Sequence, residues 1–448
     1  MVIALERAIF FGEYMIPNEV IYILETLERN GFQAYIVGGA VRNHLMGYPI
    51  KDWDITTNAI PDQIEALFEH TYAVGKAFGT IVVSLEDDYE VTTYRSESGY
   101  DGRKPTHVSF SSDVMEDIKR RDFTMNAMLM DKSGQILDYY KGQEDIKHNM
   151  VKTVGHARDR FTEDYLRVYR YIRFTTEYHF DKNPEIDQII KSMPIHKGIS
   201  VERIREEFNK ILLSDMPSKG IKHLYDTGLL AYILPEILDS VDFDQHSEFH
   251  HLTVFDHLMA TLNQTPAKLP LRLAALLHDI GKPSTFELIE GRGRFYSHDK
   301  ASVNLAGKFL KRFKYDNDTC KHVEILISNH MRLLDLDNNK SVKKFMNKIG
   351  LDNLSDFLEL RKADILSSTT NDSIESVESM KTKFDEIIHE KAPMSVNDLA
   401  LDGHDLMKLG YKGKEIGELK LLLLDLVLDK PQMNNKESLI EHIKLLNK

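Results

Sequence analysis

The most constraining feature of the sequence is a pair of glycines placed where an apolar run gives way to a helical pattern. The run Ala34–Val37 is typical of a buried strand, and Gly38 and Gly39 follow it directly. Residues without a Cβ atom let a turn close tightly, and they let the backbone amides of a helix N-terminus approach a phosphate. The pattern predicts a strand, a glycine turn and a helix, with the cation of Arg42 nearby.

Two aspartates follow this turn closely. Asp52 and Asp54 are two residues apart, which on a strand would place both carboxylates on one face. Such a pair suits Mg²⁺, and phosphoryl transfer uses it to activate an attacking hydroxyl and to neutralise a leaving pyrophosphate. Turn or capping aspartates are the alternative for an isolated pair, but the upstream Gly-Gly-x-x-Arg favours the catalytic interpretation.

The predicted secondary structure changes along the chain. The first part mixes helical stretches with β-rich runs, among them residues 79–85 and 89–94, which we interpret as a hairpin. After about residue 153, apolar residues recur mostly at helical spacing. We therefore expect an α+β protein in which a mixed β-sheet head is followed by helical segments. The expected divisions are residues 1–152, 153–240, 241–390 and 391–448.

Composition excludes several classes of protein. The lone Cys320 in 448 residues allows neither an internal disulfide nor a cysteine-ligated zinc finger. The sequence contains no run of about 18 apolar residues, so it predicts no membrane span. Residues 1–11 lack a signal-peptide pattern. We therefore expect a cytoplasmic protein. The net charge of −13 argues against coating nucleic acid through bulk electrostatics, but it leaves local basic surfaces open.

Two charged strings follow the aspartate pair. In residues 119–127, Arg121, Asp122 and Asn126 could contact a triphosphate and a ribose hydroxyl, although a charged helix start is the simpler alternative. In residues 163–173, Asp164 and Arg167 stand three residues apart, as on one face of a helix. A salt-bridged helix face is the alternative for that second string.

These motifs together resemble the class II tRNA nucleotidyltransferase and bacterial poly(A) polymerase family. The resemblance implies a polymerase-beta-like nucleotidyltransferase head followed by an all-helical neck, an HD body and a tail. Its head motif usually ends in aspartate, whereas this chain has Asn43 at that position. The resemblance implies that Asp52 and Asp54 are catalytic Mg²⁺ ligands. Glu90 stands where the family repeats a strand carboxylate, and the resemblance assigns it no definite role.

The same resemblance implies a nucleotide-binding set. Gly39 and Arg42 would contact the incoming nucleotide, and Arg121 would recognise its sugar and phosphates with support from Asp122 and Asn126. Asp164 and Arg167 would form an amino-acid template for the base, because one acceptor and one forked donor can pair with the edge of cytosine or adenine. Two further residues would make phosphate or structural contacts, and these are Arg170 and Arg173.

A third constellation lies in the helical part of the chain. His278 and Asp279 stand in a His-Asp-Ile-Gly-Lys-Pro string, a combination of ligands that suits a divalent transition metal. The string resembles the HD phosphohydrolase family and implies a second metal site. The implied ligands are His257, His278, Asp279 and Asp364, and the family often has further histidines where His298 and His330 stand.

The resemblance implies that the chain adds CCA to the 3′ ends of tRNA from CTP and ATP, without a nucleic-acid template and with release of pyrophosphate. A poly(A) polymerase or a partial CC- or A-adding enzyme is an alternative with the same head. An HD metal-dependent phosphohydrolase is an alternative of another class. The polar segment 95–105 resembles a flexible loop of full CCA-adding enzymes, which favours CCA addition.

Overall fold

The structure of the chain is a computed structural model that describes residues 15–101, 104–194, 198–246, 252–368, 374–390 and 393–446. Residues 1–11, for which we expect no signal peptide, lie outside the described residues. The chain forms two compact units, of which one extends to Leu230 and the other begins at Ala231. Among the described residues, no helix is both long and apolar enough to cross a membrane.

The first unit is built on a seven-stranded mixed sheet with the strand order β3-β4-β5-β2-β1-β8-β9. Its strands are β1 (Ala34–Val37), β2 (Ile55–Thr57), β3 (Thr71–Gly75), β4 (Thr80–Ser84), β5 (Asp88–Thr93), β8 (Leu129–Met130) and β9 (Ile136–Leu137). Strands β2 and β5 run parallel, whereas the other neighbouring pairs are antiparallel. The predicted hairpin of β4 and β5 is confirmed, with Ile81 opposite Val91.

Five α-helices accompany the sheet in the part of residues 15–147 that the structure describes. They are α1 (Asn18–Arg29), α2 (Gly39–Met46), α3 (Pro61–Leu67), α4 (Val114–Lys119) and α5 (Gly142–Lys147). Helix α1 buries Val20, Ile23, Leu24 and Leu27, which recur at the spacing of one helix face. These side chains pack with Ile36 and Val91 of the sheet in one apolar core, which fixes the strand ends that carry the functional residues.

The segment 95–105 differs from the polar loop that the sequence suggests. It belongs to an antiparallel pair formed by β6 (Arg95–Asp101) and β7 (Lys104–Phe110), while Gly102 and Arg103 lie outside the described residues. The pair is a separate two-stranded sheet, in which Arg95 lies opposite Phe110. Backbone pairing along both strands accounts for the difference, because it satisfies polar groups of the backbone whatever the side chains are.

The rest of the first unit is helical. Its helices are α6 (Ala157–Glu163), α7 (Leu166–Glu177), α8 (Pro184–Ser192), α9 (Val201–Leu212) and α10 (Pro217–Asp226), and α11 (Leu230–Ile233) follows at the boundary of the two units. Helix α7 is buried over most of its length, including Tyr169, Tyr171 and Phe174. Its neighbours in the unit therefore surround it, which explains why its arginines lie close to other elements.

The described residues of the second unit form helices and one small antiparallel hairpin. The hairpin strands are β10 (Phe286–Ile289) and β11 (Arg292–Phe295). The helices are α12 (Val254–Gln264), α13 (Leu269–Leu277), α14 (His298–Arg312), α15 (Asn317–Asn329), α16 (Asn339–Ile349), α17 (Leu354–Leu366) and α18 (Ile374–His389). The apolar α13 is buried from Leu271 to Leu277, as expected for a helix that others enclose.

The last described helices share an apolar cluster of their own. They are α19 (Gly403–Lys408), α20 (Lys414–Asp429) and α21 (Lys436–Leu446). Leu406, Leu423 and Leu439, one from each helix, are fully buried in this cluster. The fold as a whole confirms the predicted α+β class, with the mixed sheet in the N-terminal part and helices after it.

Candidate functional site

The glycine turn lies close to three charged side chains. Gly38 has a φ of +76° and immediately precedes α2, a backbone conformation that residues with a Cβ atom rarely adopt. A Cβ atom at Gly38 would lie 3.4 Å from Nη1 of Arg121 and 3.5 Å from Oδ2 of Asp54. A Cβ atom at Gly39 would lie 3.5 Å from Nη2 of Arg42. The bare turn therefore brings one predicted metal ligand and two predicted nucleotide contacts together.

The two aspartates differ in detail from the sequence prediction. Asp52 and Asp54 precede β2 rather than lying in it, since the strand begins at Ile55. The carbonyl of Asp54 nevertheless accepts a hydrogen bond of 2.9 Å from the amide of Val37, at the end of β1. That bond continues the pairing of β1 and β2 by one residue. It therefore fixes the backbone of Asp54, although Asp54 lies outside β2.

The parallel pairing of β2 and β5 adds a third carboxylate. Ile55 pairs with Val91, so the residues before them, Asp54 and Glu90, stand side by side at the same edge of the sheet. Burial raises the pKa of Asp54, and the charges of Glu90 and Asp52 raise it further against the opposing effect of Arg121. An oxygen-only set of ligands whose negative charges repel one another fits Mg²⁺, because a divalent cation would relieve that repulsion.

Arg120 and Arg121 share one buried carboxylate. Asp117, on α4, accepts hydrogen bonds of 2.5 Å from Nη2 of Arg120 and 3.2 Å from Nη2 of Arg121. Burial would raise the pKa of Asp117, but the charges of Arg121 and Arg120 outweigh it, and the net effect lowers the pKa. The carboxylate is ionised and directs Arg121 toward the glycine turn.

Asp122 is the centre of a hydrogen-bonded chain. Its carboxylate accepts bonds of 2.8 Å from Nε of Arg170 and 3.0 Å from Nδ2 of Asn126. Oδ1 of Asn126 in turn accepts a bond of 2.5 Å from Nη1 of Arg42. Burial acts to raise the pKa of Asp122, yet Arg170, Asn126 and Arg167 lower it to about 2. This chain joins four of the predicted nucleotide-binding residues across three segments of the sequence.

The predicted base template is not one face of a single helix. Helix α6 ends at Glu163 and α7 begins at Leu166, so Asp164 lies in the break, where it accepts a bond of 3.0 Å from the amide of Leu166. The first amides of a helix have no hydrogen-bond partner within the helix. The Asp164 side chain accepts from one of these amides, as a capping residue does, which accounts for the break between α6 and α7. Arg167 donates to Oε2 of Glu163 at 2.8 Å and to the carbonyl of Arg120 at 2.9 Å.

Three arginines surround the ring of Phe174. The guanidinium carbons of Arg173, Arg42 and Arg170 lie 4.0, 5.2 and 5.4 Å from its centroid. Arg173 also forms ion pairs with Glu177 on its own helix, at 3.0 Å, and with Glu207 of α9, at 2.6 Å. The sequence reasoning missed Phe174, whose only signal is its place directly after Arg173.

A second cluster of functional side chains lies in the second unit. His257 comes from α12, His278 and Asp279 follow α13, and Asp364 belongs to α17. The structure brings all four together, as the resemblance implies. Nε2 of His257 lies 3.1 Å from Oδ1 of Asp364 and 3.6 Å from Oδ2 of Asp279, and Nε2 of His278 lies 3.5 Å from that same Oδ2 atom.

The cluster extends to two more histidines. Nε2 of His298 and of His330 lie 3.2 and 3.5 Å from Oδ1 of Asp279. His257, His278 and Asp279 form one group that could hold a metal, and Asp279, His298 and His330 form another. Asp279 bridges the two groups with its two oxygens. The family signal pointed to His298 and His330, but only the fold places them on the second oxygen.

The protonation of these histidines favours metal binding. The Nδ1 atoms of His278, His298 and His330 lie 2.9, 2.8 and 2.7 Å from backbone carbonyls, so these atoms carry the proton. The Nε2 atoms then present lone pairs, and those of His298 and His330 face each other at 3.4 Å. Metal–ligand bonds of about 2.0–2.2 Å put neighbouring ligand atoms roughly 3.0–3.5 Å apart, which matches this spacing.

The charges of the HD carboxylates agree with that arrangement. Burial acts to raise the pKa of Asp279, but the charge of Lys282 opposes that effect, and the pKa lies well below its usual range. Burial also acts to raise the pKa of Asp364, but its contact with His257 opposes that effect, and the pKa lies well below its usual range. Nζ of Lys282 lies 2.7 Å from Oδ2 of Asp279. Sequence reasoning missed Lys282, three residues after Asp279 in the same string.

Comparison with protein families matches three parts of the chain. Residues 34–152 match the poly A polymerase head domain, and residues 220–391 match the HD domain. Residues 187–240 match a family model described as "Probable RNA and SrmB- binding site of polymerase A". The resemblances that the head motifs and the His-Asp string indicate are therefore confirmed.

Comparison with individual proteins agrees. A CCA-adding enzyme of Staphylococcus aureus (strain MRSA252) is 44% identical over 226 residues, which are 50% of this chain and 56% of that protein. The chain thus spans about half the length of the curated relatives it matches. The structure of Bacillus stearothermophilus CCA-adding enzyme in complex with CTP aligns with a TM-score of 0.72 at 26% identity, over 96% of this chain and 98% of that one. Thermotoga maritima CCA-adding enzyme complexed with tRNA shares the fold, with a TM-score of 0.58, 18% identity and 97% coverage of both chains.

Proposed function

Because this chain carries the head domain of the poly A polymerase family together with its RNA-binding segment and an HD domain, we propose that it adds CCA to the 3′ ends of tRNA. The substrates are tRNA, CTP and ATP, and pyrophosphate is the second product. The observation that carries the proposal is the meeting of Asp54 and Arg121 over Gly38, with Glu90 on the neighbouring parallel strand. A carboxylate cluster beside a phosphate-binding turn is what nucleotidyl transfer requires.

In this proposal Asp52 and Asp54 hold the catalytic Mg²⁺, and Glu90 completes the negative charge of the site. Bound Mg²⁺ would neutralise the phosphates and lower the pKa of the attacking hydroxyl. The 3′ hydroxyl of tRNA attacks the α-phosphate, the new phosphodiester bond forms, and the bond to pyrophosphate breaks. The carboxylates are held in place because the backbone of Asp54 extends the sheet beyond β2.

The cations of the site receive the triphosphate. Arg121 is aimed by the ionised Asp117, and Gly39 lets the nucleotide approach the start of α2 beside Arg42. Asp122 and Asn126 orient two further arginines, because Asp122 accepts from Arg170 and Asn126 accepts from Arg42. Fixed donors of this kind stabilise developing negative charge without reorganising.

The base is selected by Asp164 and Arg167. Arg167 is anchored to the carbonyl of Arg120, so it stands one residue from the phosphate contact Arg121. Arg170 and Arg173 support this pair from the same helix through ion pairs with Asp122 and Glu207. A template made of side chains would select CTP and then ATP without a nucleic-acid strand.

The proposal keeps the four-part division of the chain. Residues 1–152 form the nucleotidyltransferase head, 153–240 the neck, 241–390 the HD body and 391–448 the tail. We propose that the reaction takes place in the cytoplasm, where a chain with a single cysteine meets reducing conditions.

The experiment is product length on a denaturing gel, with tRNA lacking its 3′ end, Mg²⁺, and CTP, ATP or both. We expect two additions with CTP, a third only with both nucleotides, and none with Asp52→Ala. The matched control is Asp62→Ala, which removes a surface carboxylate whose side chain is 76% exposed. A long tail from ATP alone would instead indicate a poly(A) polymerase, a stop after two nucleotides a CC-adding enzyme, and one A added only to tRNA ending in CC an A-adding enzyme. No incorporation would overturn the proposal.

The second unit supports a second activity, metal-dependent hydrolysis of phosphate esters. The specific observation is that Asp279 bridges two groups of side chains that could each hold a metal ion. In two-metal sites the paired ions stabilise the attacking and the leaving oxygen of a phosphoryl transfer. We expect release of phosphate from a phosphomonoester with Mn²⁺ or Ni²⁺, lost in His278→Ala but retained in Asp52→Ala. His389→Ala, an exposed histidine at the end of α18, is the control. Equal hydrolysis by wild type and His278→Ala would contradict this activity.

A further inference from the structure

A row of four residues crosses the sheet from the outer strand β3 to the metal site. Tyr72 of β3 pairs with Val82 of β4, and Val82 pairs with Glu90 of β5. Directly paired residues of neighbouring strands point to the same face of a sheet. Because Glu90 stands beside Asp54, the row places Tyr72 on the face that carries the carboxylates, three strands away from Asp54.

The helices α1 and α3 lie on the opposite face of these strands. Both helices share an apolar core with Ile81 and Val91, whose side chains alternate along the strands with those of the row. On the face of the row, by contrast, Tyr72 is 56% exposed and Glu90 is exposed as well. The row therefore offers an accessible aromatic ring at one end and the carboxylates at the other.

The direction of the reaction decides which substrate lies along this row. The glycine turn and Arg121, which receive the triphosphate in the proposed function, lie on the β1 side of Asp54, because Gly38 follows β1 directly. Strand β1 lies beside β2 on the side away from β5. In nucleotidyl transfer the attacking and leaving oxygens lie roughly in line through the phosphorus. If pyrophosphate leaves toward β1, the attacking hydroxyl approaches from the side of β5, β4 and β3.

The length of the row suits the end of a nucleic-acid strand. Neighbouring β-strands lie about 4.8 Å apart, so three spacings put the backbone of Tyr72 about 14 Å from that of Asp54. Stacked nucleotides of one strand rise about 3.4 Å each, so about four of them span this distance. An exposed tyrosine ring can stack on a base of any identity, as single-strand binding sites require. Tyr72 is therefore placed to meet the last few nucleotides of an RNA whose 3′ hydroxyl lies at the metal site.

We propose that Tyr72 is a binding residue for the RNA substrate, which stacks on one of the last nucleotides of tRNA and so holds the 3′ hydroxyl at the metal site. This inference rests on the proposed function for the identity of the RNA. It assigns the open face of β3, β4 and β5 to the 3′ end of tRNA and the glycine turn to the triphosphate. Loss of the ring should therefore weaken tRNA binding and leave CTP binding unchanged.

The test compares Tyr72→Ala and Tyr72→Phe with the wild-type chain in C addition to tRNA lacking its 3′ end. We expect Tyr72→Ala to raise the KM for tRNA about tenfold and to leave the KM for CTP unchanged. Tyr72→Phe keeps the aromatic ring, so it should retain the wild-type KM for tRNA. The fluorescence anisotropy of a labelled tRNA, titrated without CTP, should give the same order of affinities.

Tyr22→Ala is the matched control. Tyr22 is 48% exposed, but it belongs to α1 on the opposite face of the sheet, so its loss should leave the KM for tRNA unchanged. Stacking also has its own signature. The fluorescence of a 2-aminopurine base placed among the last four nucleotides should fall on binding to the wild type and to Tyr72→Phe, and less on binding to Tyr72→Ala. The thermal midpoint of Tyr72→Ala, followed by the fluorescence of Trp53, the single tryptophan, should equal that of the wild type because the ring is exposed.

A wild-type KM for tRNA in Tyr72→Ala would overturn this inference. An increase in the KM for CTP alone would also overturn it, because it would put the ring beside the nucleotide. An equal loss in Tyr72→Phe would overturn stacking in favour of a contact with the hydroxyl.

Product length on tRNA separates this result from the proposed function. If the wild type completes CCA while Tyr72→Ala binds tRNA normally, the function stands and the inference fails. If the wild type adds nothing while Tyr72→Ala still weakens tRNA binding, the function fails and Tyr72 remains an RNA-binding residue.

Discussion

Asp122→Asn is the perturbation whose effect the structure specifies most fully. The carboxylate is buried and receives Arg170 and Asn126, and these groups with Arg167 lower its pKa from 3.8 to about 2. A pKa that falls from 3.8 to about 2 on folding corresponds to roughly 2 kcal/mol of stability at neutral pH. The asparagine variant loses this stabilisation and leaves Arg170 without its carboxylate partner. We therefore expect a decrease in the free energy of unfolding of about 2–4 kcal/mol at pH 7.

The pH dependence gives the prediction a sign. A carboxyl group whose pKa is lower in the folded than in the unfolded state stabilises the fold above its unfolded pKa, and this stabilisation is lost as the pH falls through the folded value. The contribution of Asp122 should therefore be complete at pH 7 and decline between about pH 5 and pH 2. At pH 3 roughly half of it should remain, so the deficit of Asp122→Asn should shrink by about 1 kcal/mol.

Urea denaturation followed by Trp53 fluorescence measures this deficit, because that residue packs against the core of the first unit. Asp62→Asn is the control: its exposed ion pair with Lys76 should contribute less than about 1 kcal/mol. Wild-type stability of Asp122→Asn at pH 7 would refute the reasoning. A deficit that is identical at pH 7 and pH 3 would show that the ionised form of Asp122 is not what stabilises the unit.

Three further predictions follow from the two sites. Glu90→Gln should lower the rate of C addition about tenfold and raise the Mg²⁺ concentration needed for half-maximal rate, as measured by magnesium titration, because it removes charge beside Asp54; an unchanged magnesium dependence would contradict this. Elemental analysis should find two transition-metal ions per purified wild-type chain, bound at the HD cluster, and one in His330→Ala. Equal metal content in the two proteins would refute the bridging role of Asp279. Phe174→Leu should destabilise the first unit by about 2–3 kcal/mol in urea titrations, since the ring contacts three guanidinium groups, and wild-type stability would contradict it.

The sequence predicts well where a local pattern has one physical solution. The glycine pair after Ala34–Val37 gives the strand, turn and helix because a φ of +76° at Gly38 is available to glycine and to few other residues. The hairpin of β4 and β5 follows from two β-rich runs separated by a short turn. The aspartate pair and the His-Asp string likewise identify chemistry from residue type and spacing.

Prediction is weaker where the partner of a residue is distant in sequence. Asp164 and Arg167 have the spacing of a helix face, yet the structure breaks the helix at Asp164 and anchors Arg167 to the carbonyl of Arg120. Glu90 gains its place beside Asp54 only through the register of two parallel strands. Spacing alone indicates neither result, because both depend on which segments pack together.

The amino-acid sequence by itself determined the α+β class, the glycine turn and the metal-binding residue types. Only the tertiary structure decided that Asp122 accepts from both Arg170 and Asn126, and that Asp279 faces a different pair of histidines with each oxygen. The physical reason is that local backbone preferences act over a few residues, whereas charge compensation and ligand geometry are set by side chains that folding brings from distant positions.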